Sequence, residues 1–313
     1  MSKIKKIAII GTGVIGAGWI IRCLAHDKIV YAFDKDLKLK KNLVSEIKRT
    51  WPHVKKLFNK KTLKLKNFKY FTSLEEAVKD ADFIQECASE NYALKTRLMT
   101  TIGKYAKPKA IISSSSSGLL PTKIYSKCRN PQRTIIGHPF NPVYLLPAVE
   151  IVPGKKTSKK YLDTAKKFYK SISMNPIMVK HELPGYLSDR LQEALWREGL
   201  HIINEGHATT EDLDRAIEDG PGLRWSLMGT FLTFHLAGGK AGMRHMLEQF
   251  GPALKLPWTK LKAPNLSNKL INRLVAGTKK QSKGKSVTKI ANIRDEYLVE
   301  LQKLRKKYEK KLR

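Results

Sequence analysis

The chain has 313 residues, of which 42% are hydrophobic and 28% charged, a balance that is typical of a folded protein and excludes a disordered one. No apolar run is long enough to span a bilayer, and Cys23, Cys87 and Cys128 have no metal-type spacing. These features argue against membrane-spanning, secreted disulfide-rich and zinc-binding proteins, and they predict a cytoplasmic protein without a metal or a membrane partner.

The net charge of +33 is the unusual feature of the composition. A strongly basic protein suggests nucleic-acid binding, because neutralised phosphates release counterions. The lysines, however, are scattered in pairs such as Lys55-Lys56 and Lys279-Lys280, and segment 181–254 holds six basic residues against eleven acids. No ladder of aromatic residues accompanies the lysines. We therefore interpret them as solvated surface residues and expect no nucleic-acid partner.

Short apolar runs alternate with helical patterns along the first 180 residues, which is typical of a parallel α/β sheet. The predicted strands, in chain order, are Ile7–Ile10, Ile29–Phe33, Asp82–Ala88, Ala110–Ser114, Thr134–Gly137, Val149–Val152 and Pro176–Val179. The helices predicted between them are Val14–His26, Leu37–Phe58, Ala93–Lys104 and Lys159–Ser171.

Beyond Pro184-Gly185, which marks a boundary, the strand patterns fade. The helices predicted there are Leu187–Glu205, Thr210–Glu218, Ser226–Leu236, Gly242–Gln249 and Asn268–Ala276, followed by a linker at Thr278–Ser286 and a last helix with a one-sided apolar stripe. We therefore predict a Rossmann-type, mostly parallel α/β domain over residues 1–183 and an all-helical domain over residues 184–313.

The first predicted strand runs directly into Gly11-Thr12-Gly13-Val14-Ile15-Gly16, which opens the following helix. In this G-x-G-x-x-G pattern the first glycine permits a tight turn, the second lets the backbone approach a pyrophosphate, and the third lets helix and strand pack closely. Asp34 ends the second strand, where a carboxylate accepts hydrogen bonds from ribose hydroxyls and repels a 2′-phosphate. We therefore predict an NAD site, although Lys35 and Lys38 nearby could meet the phosphate of NADP.

A histidine, His138, directly follows a predicted strand, and Glu150 lies twelve residues later at the start of another. The carboxyl ends of parallel strands are where such sheets bind ligands. A histidine oriented by a carboxylate is a general base, which the oxidation of an alcohol with NAD requires. The run Ser113–Ser117 could supply a hydroxyl for the substrate oxygen. On spacing alone, the histidine and the serines could equally be structural.

The Gly11–Gly16 fingerprint, Ser117, the segment His138-x-x-Asn141-Pro142 and Glu150 together resemble the 3-hydroxyacyl-CoA dehydrogenase superfamily. The resemblance implies that His138 is the catalytic base and that Glu150 orients it. It also implies that Ser117 and Asn141 position the reacting oxygen.

The same resemblance implies that Glu90 and Lys95 line the nicotinamide site and that two copies of the chain form a homodimer through the helical domain. Within the superfamily the chain resembles the L-carnitine 3-dehydrogenases from Ile9 to about Tyr297. The stretches that carry this likeness are His138–Glu150 (HPFNPVYLLPAVE), Glu193–Gly206 (EALWREGLHIINEG) and Gly222–Trp258.

One position, Asp189, departs from the acyl-CoA enzymes, which usually have an asparagine there, and is similar to the carnitine enzymes. A carboxylate at that position would repel an anionic thioester and tolerate a cation. Carnitine carries a quaternary ammonium, which proteins hold with aromatic faces. Tyr144 and Trp225 are the preferred candidates, because each follows a turn-like segment. Either Arg190 or Arg224 could pair with the carnitine carboxylate.

The resemblance thus implies an NAD-dependent oxidation of L-carnitine to 3-dehydrocarnitine. One alternative is another 3-hydroxyacid or 3-hydroxyacyl-CoA dehydrogenase, such as an L-gulonate 3-dehydrogenase, which would share the base and the cofactor fold. A more remote alternative is a crystallin-like or nucleic-acid-associated protein that has lost turnover. The presence of both His138 and Glu150 argues against the remote alternative.

Overall fold

A computed structural model describes residues 4–60, 62–227, 229–238, 240, 242–260, 265, 267–281, 283 and 285–312. The chain divides into two compact units, Met1–Arg190 and Leu191–Arg313. We refer to them as the sheet unit and the helical unit. Every helix among the described residues is too short or too polar to cross a membrane.

Among the described residues, the sheet unit contains eight strands, of which the central ones are buried. They are β1 (Lys6–Ile10), β2 (Ile29–Phe33), β3 (Phe68–Phe71), β4 (Phe83–Glu86), β5 (Ile111–Ser114), β6 (Thr134–Pro139), β7 (Ala148–Pro153) and β8 (Asn175–Met178). Their order across the sheet is β3-β2-β1-β4-β5-β6-β7-β8. All neighbours are parallel except β6 and β7. The predicted Rossmann-type, mostly parallel fold is therefore confirmed.

In the described part of the sheet unit, six α-helices connect these strands. They are α1 (Val14–Ala25), α2 (Leu39–Phe58), α3 (Leu74–Val78), α4 (Tyr92–Tyr105), α5 (Pro121–Ile124) and α6 (Lys159–Ser171). The order in which successive strands are added reverses between β1 and β4, because β2 and β3 lie on one side of β1 and the later strands on the other. The carboxyl ends of β1, β2, β4, β5 and β6 share one edge, where such a reversal creates a crevice for ligands.

Sequence patterns did not predict the edge strand β3 or the short helices α3 and α5. Strand β3 is only partly buried and exposes Lys69, so it lacks the apolar run that identifies a central strand. Strand β4 spans Phe83–Glu86 and is therefore shorter than the predicted Asp82–Ala88, and the carbonyl of Cys87 just after it passes close to Gly11.

The helical unit continues from α7 (Ser188–Glu205), which begins in the sheet unit. Its further helices are α8 (Thr210–Glu218), α9 (Pro221–Trp225), α10 (Thr230–Ala237), α11 (Gly242–Phe250), α12 (Asn268–Gln281) and α13 (Val287–Leu312). The predicted helix Ser226–Leu236 begins only at Thr230, after the short helix α9. The linker predicted at Thr278–Ser286 is helical up to Gln281, because lysine and glutamine favour helix.

Candidate active site

The turn between β1 and α1 has a geometry that only glycine allows at two positions. Gly11 has a φ of +97°, and a Cβ added there would lie 2.9 Å from the carbonyl oxygen of Cys87. A Cβ on Gly16 would overlap the carbonyl oxygen of Gly11. Gly13, by contrast, faces open space and precedes the first turn of α1, whose backbone N–H groups have no side-chain cap. This combination fits the close approach of a pyrophosphate.

The other half of the nucleotide site lies at the end of β2. The Asp34 carboxylate accepts hydrogen bonds from the backbone N–H and the hydroxyl of Thr12, both at 3.0 Å, and from the backbone N–H of Lys35 at 2.8 Å. A carboxylate has about four acceptor sites, so capacity for ribose hydroxyls remains. Val14 is 70% exposed beside the turn, and Ile15 is half-buried. The residues present therefore fit NAD.

A buried ion pair between Glu86 and Lys95 was not predicted from the sequence. The Lys95 ammonium donates to both carboxylate oxygens of Glu86, at 2.9 and 3.1 Å, and to the carbonyl oxygen of Ala88 at 2.9 Å. Both charged side chains are almost fully buried. Glu86 ends strand β4, and an acid at the carboxyl end of an apolar run was the signal that could have identified it.

Glu90, which was predicted to line the nicotinamide site, lies next to this pair. One of its oxygens is 3.5 Å from the Lys95 ammonium. The other oxygen accepts hydrogen bonds from the Ser116 hydroxyl at 2.5 Å and the Ser117 backbone N–H at 3.0 Å. Glu90 and Lys95 are thus joined to the serine loop after β5, and their contact with the cofactor stays a prediction.

His138 and Glu150 are brought together by the one antiparallel pairing of the sheet. His138 on β6 lies directly opposite Glu150 on β7. The His138 Nδ1 atom is 2.8 Å from a carboxylate oxygen of Glu150. Both side chains are buried, at 4% and 0% exposure. An ionised carboxylate only accepts hydrogen bonds, so Nδ1 carries the proton and Nε2 is the nitrogen that can accept another.

Glu150 also organises the start of α7. Its second carboxylate oxygen accepts hydrogen bonds from the backbone N–H groups of Leu187 and Ser188, both at 3.0 Å. Burial by itself raises the pKa of the Glu150 carboxyl, but the hydrogen bonds from His138 and from these two amides outweigh it. The pKa of Glu150 therefore lies below its ordinary value, and the group is ionised at neutral pH.

The next residue of α7, Asp189, approaches the other side of the imidazole. A carboxylate oxygen of Asp189 is 3.7 Å from the His138 Nε2 atom. This distance is too long for a hydrogen bond, so the Asp189 carboxylate lies beside Nε2 without being bonded to it. His138 therefore lies between two carboxylates, of which Glu150 is bonded and Asp189 is only close.

The remaining predicted catalytic residues, Ser117 and Asn141, are exposed at the same edge of the sheet. They follow β5 and β6, which are neighbours. Tyr186 contacts both regions. Its hydroxyl donates to the carbonyl of Leu119, in the loop after β5, at 2.7 Å, and its ring centroid lies 5.7 Å from that of His138 on β6. The roles of Ser117 and Asn141 stay predictions.

The predicted substrate residues lie in different places. Tyr144 is buried in the loop that connects β6 to β7, and its side chain interacts with that of Arg49 on α2. Trp225 ends the short helix α9 of the helical unit and is 41% exposed. Arg190 lies on α7 and covers Gly185, whereas Arg224 lies on α9. These assignments also stay predictions.

Comparison with known proteins places the chain in a family. Residues 6–182 match the family described as 3-hydroxyacyl-CoA dehydrogenase, NAD binding domain, and residues 185–286 match the C-terminal domain of the same family. An L-carnitine dehydrogenase from Bacillus cereus is 49% identical over 98% of this chain and 94% of its own length. One from Pseudomonas putida is 49% identical over 96% of this chain and 93% of its own.

A solved structure shares the fold at low sequence identity. It is a 5-dehydrogenase of 5-formyl-3-hydroxy-2-methylpyridine 4-carboxylic acid, described as an NAD+-dependent dismutase. The TM-score is 0.81, the sequence identity is 22%, and the match covers 97% of this chain and 99% of that one. The protein is thus an NAD-dependent dehydrogenase that acts on a CH–OH group. With the nucleotide turn and the family match together, the chain belongs to the 3-hydroxyacyl-CoA dehydrogenase family.

Proposed function

We propose that this chain oxidises L-carnitine to 3-dehydrocarnitine, with His138 as the general base. The observation that carries the proposal is the position of His138 between Glu150 at 2.8 Å and Asp189 at 3.7 Å. The similarity to L-carnitine dehydrogenases over nearly the full chain supports the choice of substrate.

NAD, when bound at the Gly11–Gly16 turn, supplies the acceptor for the hydride that leaves the substrate carbon. The hydroxyl proton of the substrate goes to the His138 Nε2 atom, because Nδ1 is already bonded to Glu150. Glu150 stabilises the resulting imidazolium and keeps the ring in place. Ser117 and Asn141, at the same edge, hold the substrate oxygen by hydrogen bonds as it becomes a carbonyl oxygen.

Asp189 is the residue that we propose to select the substrate. Its carboxylate adds a negative charge beside the reacting centre, which disfavours an acyl-CoA and is compatible with a trimethylammonium group. Tyr144 and Trp225 remain the proposed aromatic contacts of that group, and Arg190 or Arg224 the proposed partner of the substrate carboxylate.

A substrate panel tests this proposal. Purified protein is mixed with NAD and, separately, L-carnitine, L-gulonate or 3-hydroxybutyryl-CoA, and NADH formation is followed by absorbance. We expect kcat/KM for L-carnitine to exceed the other two by about 100-fold or more, since unpaired charges in a pocket reject the wrong substrate. A preference for gulonate or for the thioester would contradict the proposal.

The variant Asp189→Asn sharpens the panel, because it removes the charge and keeps the shape. We expect it to lower kcat/KM for L-carnitine about tenfold and to raise that for 3-hydroxybutyryl-CoA. Asp163→Asn is the matched control, since Asp163 is an exposed acid paired with Lys159 on α6. If the two variants change kcat/KM equally, Asp189 does not select the substrate.

We also propose that the protein is a cytoplasmic homodimer. Large apolar side chains are exposed on the helical unit, among them Phe231, Leu254 and Trp258. Such a surface is typical of one that packs against a second copy. The three cysteines are free thiols, which suits a reducing compartment.

A further inference from the structure

Arg22, on the cofactor-side helix α1, is fully buried and bonded to backbone carbonyl groups. Its Nε atom donates to the carbonyl oxygen of Val143 at 2.6 Å, and one terminal nitrogen donates to that of Leu146 at 2.9 Å. The other terminal nitrogen donates to the carbonyl oxygens of Ile172 and Ser173, at 3.1 and 3.0 Å. The guanidinium also lies over the Phe58 ring, 5.3 Å from its centroid.

These bonds join three parts of the sheet unit. Val143 and Leu146 belong to the loop of residues 140–147 that connects β6 to β7, which we name the His138 loop. Ile172 and Ser173 form the turn between α6 and β8. A rigid guanidinium with five donors can fix several carbonyl groups at once, whereas a lysine ammonium acts as a point charge. Arg22 therefore fixes the His138 loop against α1 and the α6–β8 turn.

A second contact on the same face of α1 holds the same loop. Gly18 lies one turn before Arg22, and a Cβ added to it would lie 2.7 Å from the Cβ of Val143. The loop residue Val143 is fully buried there. Helix α1 and the loop are thus in direct contact through Gly18 and linked through Arg22.

The exposed end of the His138 loop lies beside the base and carries Asn141, the residue proposed to hold the reacting oxygen. Phe140 lies 5.1 Å from His138 between ring centroids, and Asn141 is exposed next to it. The buried part, from Val143 to Leu146, is the part that Arg22 bonds. In the chain, only Pro142 separates Asn141 from Val143, the first residue of the buried part. A shift of the buried part is therefore expected to move Asn141 relative to His138.

We propose that Arg22 is a positioning residue for catalysis: it sets the His138 loop on α1 and so places Asn141 for the reacting oxygen. This inference rests on the proposed function, in which Asn141 holds that oxygen. Misplacing a group by about 1 Å can cost about 100-fold in rate, so a less rigid donor at this position lowers turnover.

The chain offers a matched control in Arg133, the residue before β6. Arg133 is also almost fully buried and also donates to backbone carbonyl groups, namely those of Lys107, Ala110 and Gly103. Those carbonyls belong to α4 and to the loop after it, which are not part of the His138 loop. Arg22→Lys and Arg133→Lys therefore remove similar bonds, but only the first touches the loop.

The experiment compares these two variants with the unaltered protein. We expect Arg22→Lys to lower kcat about tenfold or more and to leave the Kd for NADH within about twofold. Hydrogen exchange of residues 143–146 is expected to accelerate, since the Leu145 and Leu146 amides bond the Pro142 carbonyl inside the loop. Arg133→Lys is expected to lower the Tm but to leave kcat within twofold and exchange in the loop unchanged.

Equal losses of kcat in both variants, or unchanged exchange in the loop of Arg22→Lys, would overturn the inference. If Arg22→Lys does not fold, Gly18→Ala decides by the same two readouts, because its Cβ pushes on Val143. Its control is Gly103→Ala, whose Cβ would lie 2.7 Å from the Sγ atom of Cys128, at the Arg133 side. Faster loop exchange and lower kcat in Gly18→Ala alone support the inference, and equal behaviour of the two contradicts it.

The failure of the proposed function is distinguishable from the failure of this inference. An unaltered protein that does not oxidise L-carnitine refutes the substrate, whereas loop exchange does not depend on any substrate. Activity with L-carnitine combined with equal behaviour of Arg22→Lys and Arg133→Lys refutes the positioning role alone.

Discussion

The two units of this protein differ in how they treat their apolar residues. The sheet unit buries most of its large apolar side chains, and the strand residues Ile7–Ile10 are at most 1% exposed. In the helical unit, the buried apolar residues among those the structure describes are Leu200, Ile203, Leu270 and Val299. Phe231 and Leu254, by contrast, are 82% and 84% exposed.

The residues proposed for catalysis and the exposed apolar surface lie in different units. The sheet unit holds the nucleotide turn, the His138–Glu150 pair and Asp189. Apolar surface is stabilised when another surface removes it from water, which is why we propose a second copy as the cover of these exposed residues. We therefore expect changes at His138, Glu150 and Asp189 to alter chemistry, and changes at exposed apolar residues such as Phe231 and Leu254 to alter assembly.

The largest effect is expected from His138→Ala in the sheet unit. It removes the group that accepts the hydroxyl proton, so kcat falls about 100-fold to 10,000-fold. The Kd for NADH, measured by fluorescence, stays within about twofold, because the nucleotide turn is untouched. His181→Ala, which changes an exposed histidine of the same unit, should leave kcat unchanged. Near-normal turnover of His138→Ala would show that the base lies elsewhere.

The next effect concerns the cofactor. Asp34→Ala removes the acceptor for the ribose hydroxyls and the charge that repels a 2′-phosphate, so we expect KM for NAD to rise about tenfold and the NADP to NAD ratio of kcat/KM to increase. The control is Asp36→Ala, since the Asp36 side chain accepts from the backbone N–H of Lys38 two residues along. An unchanged NADP to NAD ratio in Asp34→Ala would contradict the nucleotide site.

Placing charges on the apolar surface of the helical unit should change the mass of the assembly in solution and leave cofactor binding unchanged. We expect the unaltered protein to sediment as two chains and the double variant Phe231→Glu, Leu254→Glu to sediment as one, because charges cannot be buried unpaired at an interface. Binding of NADH is expected to persist. Leu39→Glu, at a part-exposed apolar position of the sheet unit, is the control and should remain a dimer. A single chain in the unaltered protein would refute the homodimer.

The smallest effect is a pH dependence of stability at Glu150. Because its pKa in the folded state lies below the ordinary value of 4.5, its ionised form stabilises the fold above that pH, and this contribution is lost as pH falls through the folded-state pKa. The free energy of unfolding of the unaltered protein should exceed that of Glu150→Gln most at neutral pH, and the difference should shrink below about pH 4.5. Urea unfolding at a series of pH values measures it.

A matched change separates this effect from general charge effects. Asp163→Asn removes an exposed acid that pairs with Lys159 at 2.7 Å, and exposed pairs contribute little. We expect its difference in free energy of unfolding to stay near zero at every pH. A difference for Glu150→Gln that grows as the pH falls would contradict the assignment of the lowered pKa.

Much of the fold was predictable because its signals are local. Apolar runs such as Ile29–Phe33, which is strand β2 in the structure, need only their own residues and flanking turns to be recognised. The edge strand β3 was missed, since its residues are only partly buried and carry no such run. The start of α10 was misplaced, because the pattern cannot separate it from the short helix α9 before it.

The candidate site was predictable only in part. The spacing of His138 and Glu150 suggested a pair, but only the antiparallel register places the two side chains opposite each other. An acid at the end of an apolar run could have indicated Glu86, but its pairing with Lys95 could not be predicted, because that contact depends on how α4 packs over the end of β4. Asp189 approaches His138 through the bonds that Glu150 makes to the start of α7.

The strand and helix periodicity and the glycine turn can be recognised in the amino-acid sequence alone, and its likeness to known enzymes identified the residue types of the site. These features depend on residues that are close together in the chain. Backbone geometry sets the period at which side chains return to the same face, two residues in a strand and 3.6 in a helix. The contacts of the charged side chains, by contrast, are visible only in the folded chain. Examples are the pairing of Glu150 with His138 and the bonds of the Arg22 guanidinium to carbonyl groups of the His138 loop. Such contacts join residues far apart in the chain, and strand register and side-chain packing fix them.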